Sequence, residues 1–159
     1  MDNQVVEKAK ELLRRYPQFS FPLDIEELVT EVGCELIEWK FLSPVKEVKH
    51  GRWIGIAEGL ERNEQRYLAA HALGHHLLHC GNQLWFRDWQ ETSVVKQERE
   101  ADEFAAHILM PAPELARVIT LSVWELADYF DVPEELAYQR VNEYATQEEM
   151  ERWNEAYVE

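Results

Sequence analysis

Tyr67-Leu68-Ala69-Ala70-His71-Ala72-Leu73-Gly74-His75-His76-Leu77-Leu78-His79 is the stretch from which the rest of the chain can be read. Its apolar residues fall nearly all round a helix, which marks a helix that is mostly buried. His71 and His75 are four residues apart, so their imidazoles project from one face about one turn apart and can reach a single ion. Alone, such a pair is a weak sign, because helix surfaces carry it too. In an apolar helix, two neutral imidazoles need hydrogen-bond partners or a metal. His79 lies about 12 Å beyond His71 along the axis and cannot share that ion. It reads as a structural histidine suited to a helix C-terminus. His76 points about 140° away from His71. Tyr67 reads as core, with the wall of a cleft as the alternative.

A second long helical pattern spans about 93–110 and stops at Met110-Pro111. Val94, Ala101, Ala105 and Ile108 form its apolar stripe, and Glu98 falls within that stripe. A carboxylate there is costly unless paired or metal-bound. Glu100 and Glu103 fall on the opposite, solvated face with Lys96 and His107. The spacing therefore selects Glu98 as a third ligand, against the alternative of a partly exposed flank. Asp102, one turn on, is placed to accept a hydrogen bond from the outer nitrogen of a ligand histidine, or else is a solvated aspartate. Two histidines and a glutamate leave a fourth position open, the pattern of a catalytic Zn²⁺ site. Zinc makes water acidic enough to ionise near neutral pH and polarises a carbonyl.

The peptidase form of this motif needs a glutamate directly after the first histidine. It takes a proton from the attacking water and passes it to the leaving amine. That position is Ala72, and a methyl group transfers no proton. General acid–base catalysis typically contributes about 10²–10⁴-fold. The chain as written is therefore expected to bind zinc and to be nearly or wholly inactive. An engineered glutamate-to-alanine change and a natural pseudoenzyme both fit, and the intact remainder of the site favours the first.

The other residues set the frame. The chain has 159 residues, 46% hydrophobic and 30% charged, which fits one globular unit. Its net charge of −15 argues against nucleic acid as a direct partner. No run approaches the ~18 apolar residues of a membrane span. Met1-Asp2-Asn3-Gln4 lacks a basic start and apolar core, so no signal peptide is expected. Cys34 and Cys80 have no paired spacing and read as reduced thiols, which suggests a cytoplasmic setting.

Val5, Val6, Ala9, Leu12 and Leu13 predict a first helix ended by Pro17, and Pro22-Leu23-Asp24 opens a second that stops at Gly33. Strands are expected at 34–41 and 52–57. Ser122 to Glu125 and Thr146 to Glu149 are capping boxes. Helices, a small sheet, then helices make an α+β fold. One domain is expected over 1–159: helices and sheet (1–62), site helices (63–111) and C-terminal helices (112–159). The segment 122–141 resembles a helix-turn-helix, but its acidic surface facing Arg140 alone would repel phosphate. Trp53, Trp85, Trp89 and Trp124 read as core or cleft wall, and Leu84-Trp85-Phe86 as a loop covering the core or gripping a peptide. Met150, Trp153 and Tyr157 predict an amphipathic tail helix.

These residues resemble the ImmA/IrrE metallopeptidases. The likeness rests on Ala70-His71-Ala72-Leu73-Gly74-His75, where that family shows His-Glu-Leu-Gly-His. It rests also on Glu98-x-x-Ala101-Asp102-x-Phe104-Ala105-Ala106 running to Leu109-Met110-Pro111, and on Leu126-Ala127-x-Tyr129-Phe130-x-Val132-Pro133. The resemblance implies a zincin-like fold, Zn²⁺ on His71, His75 and Glu98, and a general base at position 72, where this chain departs. It departs again at His107, a common glutamate in the family. It further implies cleavage of a helix-turn-helix transcription repressor, in prophage-like elements or DNA-damage responses. A non-catalytic zinc-stabilised protein that sequesters such a regulator is the alternative.

Overall fold

Apolar residues three and four apart bury one side of the first helix, α1 (Gln4–Arg15), through Val5, Val6, Ala9 and Leu12. The computed structural model describes residues 4–42, 44–79 and 90–158. Asp24 caps α2 (Ile25–Glu31), its carboxylate accepting from the Glu27 amide at 3.1 Å. Gly33, with φ +96°, then turns the chain into the sheet in a conformation that favours glycine.

Three strands follow: β1 (Glu35–Trp39), β2 (Glu47–His50) and β3 (Trp53–Ala57). Their order is β1-β3-β2, with β1 parallel and β2 antiparallel to β3. Ile54 and Ile56 of β3 are buried, and β3 packs on the helix that follows. Two strands match expectation and β2 is an addition to it. Its only apolar residue is Val48, so no hydrophobic alternation announces it.

The two central helices are α3 (Arg62–His79) and α4 (Gln90–Leu109). Ala69 to His75 are all buried on α3. On α4, burial runs without interruption from Phe104 to Met110, because α1, α3 and later helix α7 (Glu134–Asn142) pack around it. This corrects the expected faces. His107 is buried, not solvated, and donates from Nε2 to the Tyr144 carbonyl at 2.8 Å. Val94 is exposed, because the stripe sinks into the core only from Ala101 onward.

The C-terminal part comprises α5 (Ala112–Val118), α6 (Val123–Phe130), α7 and α8 (Gln147–Val158). Both capping boxes form, at Ser122/Glu125 and Thr146/Glu149. Arg140 is wholly buried, so it is not the surface cation of the helix-turn-helix-like segment. It binds the Met110 carbonyl at 2.8 Å and both oxygens of Glu149. Arg66 ties α3 to the carbonyls of Leu23, Phe130 and Asp131. Trp53 and Trp124 are exposed, against their reading as core, whereas Trp153 docks α8 on the core. Cys80, Trp85, Trp89 and the Leu84-Trp85-Phe86 cluster lie outside the described residues. No described helix is long and apolar enough to cross a membrane.

The buried His107 gives the fold an acid limb. Burial, helped by Arg140 nearby, holds its pKa down, from 6.5 to about 4. An unfolded chain takes that proton first as pH falls, so stability declines through the window between those values. His107→Gln, which keeps a donor for Tyr144, should flatten this decline in urea unfolding across the window. An equally steep limb in the variant would show that other groups set it.

Candidate metal centre

Tyr67, His71, His75 and His79 stand at four-residue intervals on α3, so their rings form a ladder on adjoining turns. The His71 and His75 ring centroids are 4.7 Å apart. Helix α4 faces this ladder with three carboxylates, Glu98, Glu100 and Asp102. Gly74 lets the helices come this close. A Cβ there would lie 3.1 Å from Phe104 Cδ1 and 3.2 Å from Ala101 Cα.

Three donors converge. His71 Nε2 is 3.2 Å from His75 Nε2, and Glu98 Oε2 and Oε1 lie 3.0 and 2.8 Å from them respectively. Ligands at zinc-like bond lengths around a tetrahedral ion sit about 3.3 Å from one another. The three groups therefore fit around one divalent cation. Both histidines are buried, while the Glu98 side chain is 53% exposed. The apolar stripe thus delivers Glu98 to its outer end, and the trio opens to solvent on that side.

Surrounding groups set the proton positions. His71 Nδ1 meets Asp102 Oδ1 at 2.8 Å, the expected outer hydrogen bond, and Tyr67 donates to the same carboxylate. With Nδ1–H donating, His71 turns its Nε2 lone pair to the point of convergence. Burial alone would lower the His71 pKa, but the Asp102 hydrogen bond with Glu47 and Glu98 outweighs it, and the pKa is raised. That of His75 is lowered by burial and the neighbouring imidazoles. Tyr67 is thus a site residue, not core filler. A cavity of about 520 Å³ begins at Tyr67 and Asp102 and is edged by Glu61, Glu64, Glu134 and Glu135.

The structure adds two features that the sequence did not announce. Glu47 of β2 faces this charge cluster, and burial, reinforced by Glu98 and Asp102, pushes its carboxyl up to about 7. His79 Nδ1 lies 3.0 Å from His75 Nδ1, and its Nε2 is 3.2 Å from Glu100 Oε1. Glu100, still partly exposed, thus also faces the ladder. Ala72, beside the trio in sequence, is fully buried among core residues. His76 stays outside the trio, and its Nδ1 is buried without a hydrogen-bond partner among the described residues.

The fold is helical α+β and carries a two-histidine, one-glutamate trio of metal-ligating residue types, and comparison gives the family. Residues 31–142 match the IrrE N-terminal-like domain, Peptidase_M78, and the chain belongs to that family. Among solved structures it is similar to a Mycobacterium tuberculosis transcriptional regulator, with a TM-score of 0.73 at 17% identity. That match covers 93% of this chain and 49% of the other, so the chain spans about half that protein's length. No curated protein matches it in sequence.

The close crossing at Gly74 is testable. Gly74→Ala should destabilise the fold by about 1–2 kcal/mol net, because crowding of the Phe104 ring and the Ala101 backbone outweighs the roughly 1 kcal/mol of helix propensity gained. The same shift should weaken divalent-metal binding, read by titration beside urea unfolding. Unchanged values for both would show slack between the helices.

Proposed function

We propose that the chain is a zinc peptidase domain of the type that cuts a helix-turn-helix transcription repressor, and that as written it holds metal and repressor without cutting. The observation that carries this reading is a converging His71–His75–Glu98 trio with a methyl group at position 72. Bound there, Zn²⁺ would supply Lewis acidity, ionising water near neutral pH and polarising a peptide carbonyl.

The chain's own residues divide the remaining work. His71 and His75 present Nε2 lone pairs. Asp102, held by Tyr67, keeps the His71 proton on Nδ1. Glu98 leaves the open side accessible to a polypeptide. Ala72 carries no proton, so departure of the amine goes unassisted. The acidic cavity and the net charge of −15 suit the basic surface of a DNA-binding protein. Family membership supports the peptidase origin. The regulator named as a structural relative supports a link to transcription control.

A second reading keeps the metal and the partner but has no cleavage in any form: a metal-stabilised protein that sequesters a regulator. The full burial of Ala72 in the core favours it. Ala72→Glu separates the two when mixed with zinc and a co-encoded repressor. Chelator-sensitive cleavage, at least about 10²-fold faster than with the unaltered chain, is the expected result. Binding of repressor without cleavage by the zinc-loaded variant would instead establish the sequestering role.

A further inference from the structure

The two ligand histidines are held differently. His71 has a carboxylate directly on its outer nitrogen, at 2.8 Å. His75 has another imidazole there, His79, with Glu100 behind it. All three imidazoles are buried. A neutral imidazole carries one N–H and one lone pair, so two Nδ1 atoms 3.0 Å apart must be one donor and one acceptor.

Only one order of protons turns the His75 Nε2 lone pair to the trio; the other would donate Nε2–H to Glu98 Oε1, 2.8 Å away. Glu100, as a carboxylate, accepts, so His79 carries its proton on Nε2 and has its lone pair on Nδ1. His75 must then carry its proton on Nδ1 and donate it to His79. That leaves the His75 Nε2 lone pair facing Glu98 and His71, where a cation would sit. A free imidazole leans the other way, toward the Nε2–H form that would block ligation. We propose that His79 and Glu100 are positioning residues that lock His75 in its metal-ready tautomer, acting through a proton-ordered chain from α4 back to α3. This rests on the metal reading above and deepens it. His79 is thereby an outer partner of the site rather than a charge at a helix end. The i, i+4 spacing that pairs His71 with His75 also pairs His75 with His79, one turn farther.

The decisive readout needs no metal. Long-range ¹H–¹⁵N spectra of the metal-free protein, taken at a pH where imidazoles are neutral, report which ring nitrogen carries each proton. His75 should be in the Nδ1–H form, and should shift toward Nε2–H in His79→Leu. His79→Asn, whose side-chain oxygen can accept near the lost Nδ1, should restore the Nδ1–H form. Competition with a chromophoric chelator should show zinc affinity down by about 10–100-fold in His79→Leu and largely recovered in His79→Asn. If His79→Leu fails to fold, Glu100→Ala, truncating a partly exposed side chain, should shift the same tautomer. An Nε2–H tautomer of His75 in the unaltered protein overturns the proposal. So does unchanged zinc affinity in a folded His79→Leu. If the unaltered chain takes up no zinc, the metal reading fails, while the tautomer spectra still judge the relay.

Discussion

Burying a ladder of imidazoles is costly unless their ring nitrogens find partners, and for His71, His75 and His79 this constraint organises the molecule. Helix α3 is apolar enough to sit at the centre of the fold, yet it carries a ladder of three buried histidines on one face. Helix α4 answers with Glu98, Glu100 and Asp102. The two helices can serve each other only at close range, which is why a glycine stands where they cross. Sheet, N-terminal helices and C-terminal helices then bury the remaining sides of the pair.

The arrangement separates rigidity from access. Asp102 and Tyr67 fix one imidazole, and His79 with Glu100 fixes the other, so both rings are held from behind by buried or half-buried groups. Glu98 is left on the open side, where the acidic cavity begins nearby. A site built this way brings three donor atoms of metal-ligating type together, with its open side at Glu98. What it lacks is a proton carrier at position 72.

Much of this was legible in the sequence because helical period is strong information. The His71/His75 spacing, Glu98 as their carboxylate, the Asp102 hydrogen bond and both capping boxes follow from residues three and four apart. The failures have equally local causes. Strand β2 escaped notice because edge strands need little hydrophobic signal, and with it went Glu47. Extending one stripe along all of α4 puts His107 and Glu100 on a solvated face, whereas α4 is buried on every side from Phe104 onward and Glu100 turns to His79. His79 is too far from His71 to share one ion. Its contact with His75 was in the same four-residue arithmetic. Trp53 and Trp124 show that aromatic content alone does not locate a core.

X-ray absorption at the zinc edge, on protein reconstituted with one equivalent of zinc, addresses the central claim most directly. The account predicts two imidazole nitrogens and carboxylate or water oxygens at about 2.0–2.1 Å, with no sulfur, and loss of this shell in His71→Ala. A sulfur shell near about 2.3 Å, or an absorber unaffected by that substitution, would contradict it.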